Sequence, residues 1–254
     1  MRVTSFAVAL LLGVSPIAAW AADHAAPHWS YEGHGGPAEW GHLSDNFAAC
    51  EQGKEQSPIN LSNPTPAKLA AFAVQYAATP LTVVNNGHTI QVNIPEGSGN
   101  SLTLDGDRYD LLQYHFHHPS EHTVDGKPAP MEVHLVHKNA KTGALAVLGM
   151  MMVPGAANPT IAAIWEAMPK AEGPAKTVAG VSLNPETLLP AKRTFLRYEG
   201  SLTTPPCSEV VHWVNLKDPI SVSQAQLDQF SALFPLNARP VQPLNRRYLL
   251  EKTE

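Results

Sequence analysis

Two short segments of this chain carry residues able to hold a metal ion. The stretch 113–121 reads Gln-Tyr-His-Phe-His-His-Pro-Ser-Glu. Along a β-strand side chains alternate between faces, so Gln113, His115 and His117 share one side and Tyr114 and Phe116 the other. The Cα atoms of the two histidines are then about 6.8 Å apart on an ideal strand, near enough for both rings to reach one ion at roughly 2.0 to 2.1 Å. The stretch 131–137 reads Met-Glu-Val-His-Leu-Val-His. Alternation puts Glu132, His134 and Val136 on one face, and His134 becomes a third ligand if the two strands pair. A His-x-His pair alone is more often two ordinary surface or core histidines, so its surroundings decide the matter.

The elements that must position these residues are mostly strands. Strand signals cover 81–84 and 88–94, joined across Asn85-Asn86-Gly87, whose residue types suit a tight turn or bulge. Further strands are predicted over 101–104, 111–118, 131–138, 145–153, 193–198 and 210–216. Two helices interrupt them. Asn158 is an N-cap before Pro159 and opens a helix over 160–168, and Ser223 with Gln226 forms a capping box for a helix reaching about residue 233. Most connections are too short for helical crossovers. The predicted fold is therefore mainly β, a large and mostly antiparallel twisted sheet with short peripheral helices. Residues 28–60 lack periodicity and read as irregular chain packed by Trp29, Tyr31 and Trp40.

Composition bounds what such a chain can do. Its 254 residues, 44% hydrophobic, suit one large domain or two small ones. Net charge is −5, from 17 basic and 22 acidic residues, with no basic cluster, which argues against nucleic acid as a partner. At the start, Arg2, the apolar run 6–14 and the small residues of Ala19-Trp20-Ala21 have the pattern of a secretory signal cleaved after Ala21. The apolar run is far below the roughly 20 residues of a membrane span, so an uncleaved anchor is the weaker reading. Export to an oxidising compartment makes one Cys50–Cys207 disulfide the default, with two buried thiols as the alternative.

Several motifs occur in one order: Gln56-Ser57-Pro58-Ile59, Asn86-Gly87-His88, Gln113-x-His115-Phe116-His117, Glu121-His122, Glu132-x-His134-Leu135-Val136-His137, 201–206 and Trp213. In this order they resemble the α-class carbonic anhydrases of the bacterial, exported kind, from about Trp29 to the 240–246 segment. The resemblance implies one catalytic domain over 22–254 after loss of a 1–21 signal peptide, in the periplasm or secreted. It also implies a metal site at the base of a cleft in an α-carbonic-anhydrase-like sheet.

Carried over residue by residue, it implies one Zn2+ per chain bound by His115, His117 and His134, with a bound water that ionises near neutral pH and attacks carbon dioxide as hydroxide to give bicarbonate. Gln113, Glu132 and Asn237 match the partners that orient the three ligands. Thr203 and Glu121 match a gatekeeping pair: an ionised carboxylate can only accept, so the Thr203 hydroxyl donates to Glu121 and accepts from the nucleophile. Val136, Val147, Leu202, Val211 and Trp213 match an apolar wall for carbon dioxide, with Thr204 on the polar side. His88 matches the proton shuttle, and Tyr31, Asn86 and Gln91 the residues that order the proton path.

Alternation turns His118 and His122 away from the His115 face and sets His137 opposite His134, so these three read as structural. The partners implied are small molecules, carbon dioxide and bicarbonate, with a homodimer left open. Two other classes use the same residues. A zinc esterase is disfavoured by the narrow wall at Val136 and Val147, and a non-catalytic binding protein by the intact ligand set.

Overall fold

The structure, a computed structural model, describes residues 27–253. The signal peptide expected over 1–21 lies outside the described residues. In chain order the strands are β1 (Asn60–Leu61), β2 (Thr65–Ala67), β3 (Ala73–Gln75), β4 (Thr79–Asn85), β5 (Ile90–Asn93), β6 (Ser101–Leu104), β7 (Asp107–His117), β8 (Thr123–Val124), β9 (Lys127–Pro128), β10 (Met131–Lys138), β11 (Leu145–Pro154), β12 (Lys176–Leu183), β13 (Phe195–Gly200), β14 (Val211–Val222) and β15 (Leu250–Lys252). The helices are short: α1 (Trp40–Leu43), α2 (Ala49–Gln52), α3 (Pro159–Ala167) and α4 (Gln224–Ser231).

Twelve strands form one sheet along the path β12-β4-β5-β7-β10-β11-β14-β13-β15-β2, with β6 pairing both β7 and β3. The strands that position the metal candidates, β7 and β10, lie near its middle, antiparallel to each other. The sheet is mostly antiparallel, as the sequence implies, with two parallel pairs that it did not specify: β11 with β14, and β15 with β2. The excursion between β11 and β14 carries α3, β12 and β13, which is long enough to return the chain to the same end of the sheet. That crossover was hidden because residues 176–183 form an edge strand paired only with β4 and mostly exposed, without a buried face to give it a periodic signal.

The two faces of the sheet have separate jobs. Tyr114 and Phe116 point into the main apolar core, where α3 and α4 cover the sheet and Phe116 meets the Trp165 ring edge-on at 4.7 Å. Both helices start where their caps predict. Asn158 accepts the N–H groups of Thr160 and Ile161, and the Ser223/Gln226 capping box closes on α4. A third cluster holds the chain start, with Trp40, Phe47, Cys50 and Cys207 buried together and Trp29 and Tyr31 packed on them. The disulfide is formed, with Cα atoms 5.0 Å apart.

Candidate active site

On the opposite face, strand register does what alternation alone could only suggest. His115 pairs directly with His134, and His117 with Glu132, so all four side chains emerge from two adjacent strands on one side. One ring nitrogen from each of His115, His117 and His134 falls within 4.8 Å of the others. The remaining ring nitrogens are held from behind. His115 Nδ1 meets Gln113 Oε1 at 2.8 Å, and His117 Nδ1 donates to the Asn237 carbonyl at 2.7 Å. His134 Nε2 lies 2.9 Å from Glu132 Oε1, a short contact too poorly aligned to count as a full hydrogen bond.

These partners fix which nitrogen faces inward: Nε2 of His115 and His117 and Nδ1 of His134. The site also fits a cation by what it lacks. His117 Nε2 and Glu121 Oε2 are fully buried without a hydrogen-bond partner among the described residues, and Glu121 Oε2 stands 3.4 Å from that nitrogen and 3.8 Å from His134 Nδ1. A lone pair and a carboxylate oxygen aimed at one buried space suit a positive ion with a bound water. A second grouping, His122, Glu132 and His134, is less suited. Both ring nitrogens of His122 are already engaged, Nδ1 by Glu132 Oε1 and Nε2 by Tyr198, and Glu132 Oε2 accepts the N–H groups of Glu121 and His122, so an ion there would displace bonds already made.

Electrostatics favour the neutral, ligating form of two of the three histidines. Burial, with the neighbouring imidazoles, lowers the pKa of His115; burial likewise lowers His117. At His134 burial also pulls downward, but Glu132 outweighs it and the net shift is upward. Burial works against the charge on Glu132 too, yet His122 and His134 hold its pKa well below the usual carboxylate range. Glu132 therefore stays ionised beneath the ligand it orients.

The residues expected to form an apolar wall lie together. Val136, Val147, Val211 and Trp213 belong to one buried cluster, and Leu202 packs against it. The 201–206 loop is tied to the 56–59 motif by reciprocal bonds: Ser57 N–H donates to Ser201 Oγ at 2.9 Å, and Ser201 N–H to Ser57 Oγ at 3.0 Å. Trp213 Nε1 adds a bond to the Ser201 carbonyl. Thr203 is buried in this loop and Thr204 half-buried beside it. The Thr203–Glu121 bond expected from donor counting is not formed among the described residues; Glu121 Oε1 instead accepts the Arg239 backbone N–H at 3.0 Å.

His88 lies outside β5, in the turn before it, where Asn86 Oδ1 accepts its N–H. Its ring stacks on Trp29, centroids 3.7 Å apart and planes 7° from parallel. Tyr31 and His88 line one cleft with Asn237. Burial, and then Glu121, pushes the Tyr31 phenol well above its ordinary pKa, so it stays protonated. Gln91 pairs with His115 across the sheet and spends its amide on Asn93 at 2.6 Å.

The family model described as eukaryotic-type carbonic anhydrase matches residues 35–253. A carbonic anhydrase of Klebsiella pneumoniae is 46% identical over 252 residues, spanning 98% of this chain and 99% of its own. The chain belongs to the carbonic anhydrase family. Solved α-carbonic anhydrases have its fold: that of Thermovibrio ammonificans superposes with a TM-score of 0.85 at 44% identity, covering 89% of this chain and all of its own. That of Photobacterium profundum gives 0.82 at 42%, covering 88% of this chain and all of its own. Hydration of carbon dioxide is the activity that belongs with such an enzyme.

Within this carbonic anhydrase framework, three supporting residues escaped the sequence reading. His122 is not turned away: its Nδ1 bonds Glu132 at 2.8 Å and its Nε2 meets Tyr198 Oη at 2.7 Å, whose hydroxyl goes on to Ser57. Strand alternation fails there because β7 ends at His117 and the chain bends before Glu121. The other two are Tyr198 itself and Arg239, whose guanidinium binds Gln56, the Ser57 carbonyl and the Cys50 carbonyl. Nothing local in the sequence marks either one. His118 and His137 are structural, as alternation implies, bonded to the Pro235 carbonyl and to Tyr76.

Proposed function

We propose that this protein catalyses reversible hydration of carbon dioxide to bicarbonate and a proton with one zinc ion held by His115, His117 and His134. The observation that carries this reading is the trio of inward-facing ring nitrogens, each backed by its own acceptor. When bound, zinc supplies Lewis acidity that brings a water's pKa to about 7, a value for which carbonic anhydrase is itself the reference case. The protein's own groups do the rest. Gln113, the Asn237 carbonyl and Glu132 fix the ring orientations, and Glu132 as an anion makes His134 the more basic donor. Val136, Val147, Leu202, Val211 and Trp213 give uncharged carbon dioxide a dry wall, and Thr204 supplies the polar edge. Thr203, donating to Glu121 once the site is loaded, offers its oxygen as acceptor and orients the nucleophile.

His88 takes the released proton along a path ordered by Tyr31, Asn86 and Gln91. Without such a relay, proton loss from a group of pKa about 7 is limited to about 10^3 per second, because recombination proceeds at up to about 10^10 M⁻¹s⁻¹. Residues 22–254 form the single catalytic domain, exported to the periplasm or beyond after cleavage of 1–21; the formed disulfide supports that compartment. Among the described residues no helix is long and apolar enough to cross a membrane.

Stopped-flow hydration with parallel zinc analysis tests the reading. The mature protein is expected to hold one zinc per chain, and His134→Ala to lose both zinc and activity. Full zinc occupancy in that variant would remove His134 from the ligand set, and zinc without hydration would favour a different reaction.

A further inference from the structure

We propose that Asn215 is a positioning residue of the metal centre: with Glu132 it holds a small cluster of ordered waters in a chamber beneath that centre, and these waters brace Glu132 against His134. The proposal rests on the zinc reading above. One row of paired residues crosses the sheet from His115 on β7 through His134 on β10 and Gly149 on β11 to Asn215 on β14. Paired residues point to the same face, so the Asn215 side chain lies on the metal's side of the sheet.

Gly149 has no side chain, and the room it leaves is shared by two acceptors. A Cβ built there would fall 2.4 Å from Asn215 Oδ1 and 3.2 Å from Glu132 Oε1. Two acceptor oxygens cannot bond each other, whereas a water between them donates one O–H to each. Asn215 is 3% exposed, and neither Oδ1 nor Nδ2 has a partner among the described residues. Its side chain lines a chamber of about 100 Å³ walled by Leu61, Val124, Met151 and Leu196, with Glu132 as the polar group at its inner end and the exposed Lys217 and Val124 at its mouth. At about 30 Å³ per water that is room for roughly three, and the amide and carboxylate supply the polar partners such waters need.

The bracing role follows from how Glu132 is held. Its Oε2 is pinned by two backbone N–H groups at 2.9 Å, while Oε1, the oxygen that faces His134, has a single well-formed bond, from His122. Water donated from the Asn215 side fixes that looser oxygen. A plain apolar residue at 215 would extend the wall of Val211 and Trp213 and leave Oε1 without this support.

The test compares the zinc-loaded protein with Asn215→Leu, which removes the amide and fills the chamber, and Asn215→Ser, which keeps a hydroxyl and leaves room for water. Long-lived buried waters are counted by magnetic relaxation dispersion, and zinc release is timed in excess chelator. Asn215→Leu is expected to lose roughly three waters and to release zinc about 10-fold faster, with Asn215→Ser close to the unaltered protein in both. An unchanged water count would overturn the chamber, and fewer waters with unchanged zinc release would overturn the bracing. If Asn215→Leu lowers the melting temperature, the smaller Asn215→Val takes its place under the same criteria. Zinc content of the unaltered protein is measured first. Its absence there would refute the metal reading and the bracing together, while the water count would still judge the chamber by itself.

Discussion

His88, proposed above as the proton relay, has surroundings that keep it neutral. Burial against Trp29, and then the nearby His28, lower its pKa from 6.5, with Glu172 pulling the other way. The ring is therefore mostly neutral at pH 7 and ready to take a proton. His88→Ala is expected to slow turnover in weak buffer while leaving carbon dioxide and bicarbonate exchange at the metal nearly unchanged, and imidazole buffers should restore much of the rate. Unaltered turnover in weak buffer would point to another route, with His28 the nearest candidate at 6.4 Å between centroids. His137 shows the opposite use of a histidine. Burial pushes it down from 6.5 to about 4, and it stays neutral between Tyr76 and the Ala146 carbonyl. The unfolded chain binds that proton first, so the contribution of His137 is intact above pH 6.5 and is lost as pH falls from 6.5 to 4, by about 3 kcal/mol in all. His137→Gln should flatten the acid limb of the stability curve by that order in urea unfolding at pH 7 and pH 4. The metal-site histidines titrate in both proteins and cancel in the difference.

Elements matter here chiefly for what they hold still. The 201–206 loop bearing Thr203 has no strand partner of its own and depends on side chains from the 56–59 motif. Ser57 serves two buried donors, the Ser201 N–H and the Tyr198 hydroxyl, the second of which leads through His122 to Glu132. Removing an acceptor that leaves a buried donor unpaired costs about 1 to 3 kcal/mol. Ser57→Ala is expected to lower stability by that amount in denaturant melts and to reduce kcat more than it reduces zinc content. A loss of stability without change in kcat would show that the loop keeps its place through Trp213 and the disulfide alone.

Across the whole molecule, the disulfide joins two regions 157 residues apart: the helical turns at the chain start and the end of the Thr203 loop. Closing a loop of that length restricts the unfolded chain by roughly 5 kcal/mol on a chain-entropy basis. Reduction is expected to lower the melting temperature markedly, read by calorimetry with and without reductant. Equal melting temperatures, or two free thiols in protein taken from its native compartment, would refute a stabilising bridge. Arg239 reinforces the same junction from within. Burial brings its pKa down to about 10, against the pull of Glu121, and its guanidinium ties the Cys50 segment to Gln56 and Ser57 while its backbone N–H holds Glu121.

That Gln113 and Glu132 back the ligands was implied by the resemblance, but period-two alternation in 113–117 and 131–137 was enough, by itself, to determine that His115 and His117 share a face with Gln113 and His134 with Glu132, because side-chain direction in a strand is a local property. The helix caps at Asn158 and Ser223 were legible for the same reason. Where the chain leaves regular structure that rule stops applying, so His122 read as a bystander although it shares Glu132 with His134. The two parallel pairs of the sheet and the junction around Arg239 were decided only by the tertiary structure. Each joins residues far apart in the chain, such as Arg239 and the Cys50 carbonyl, and such pairings are set by how strands cross and pack. The same holds for Asn215: a polar residue in an apolar strand is visible in the sequence, but that it faces Glu132 over Gly149 follows from the register of three strands.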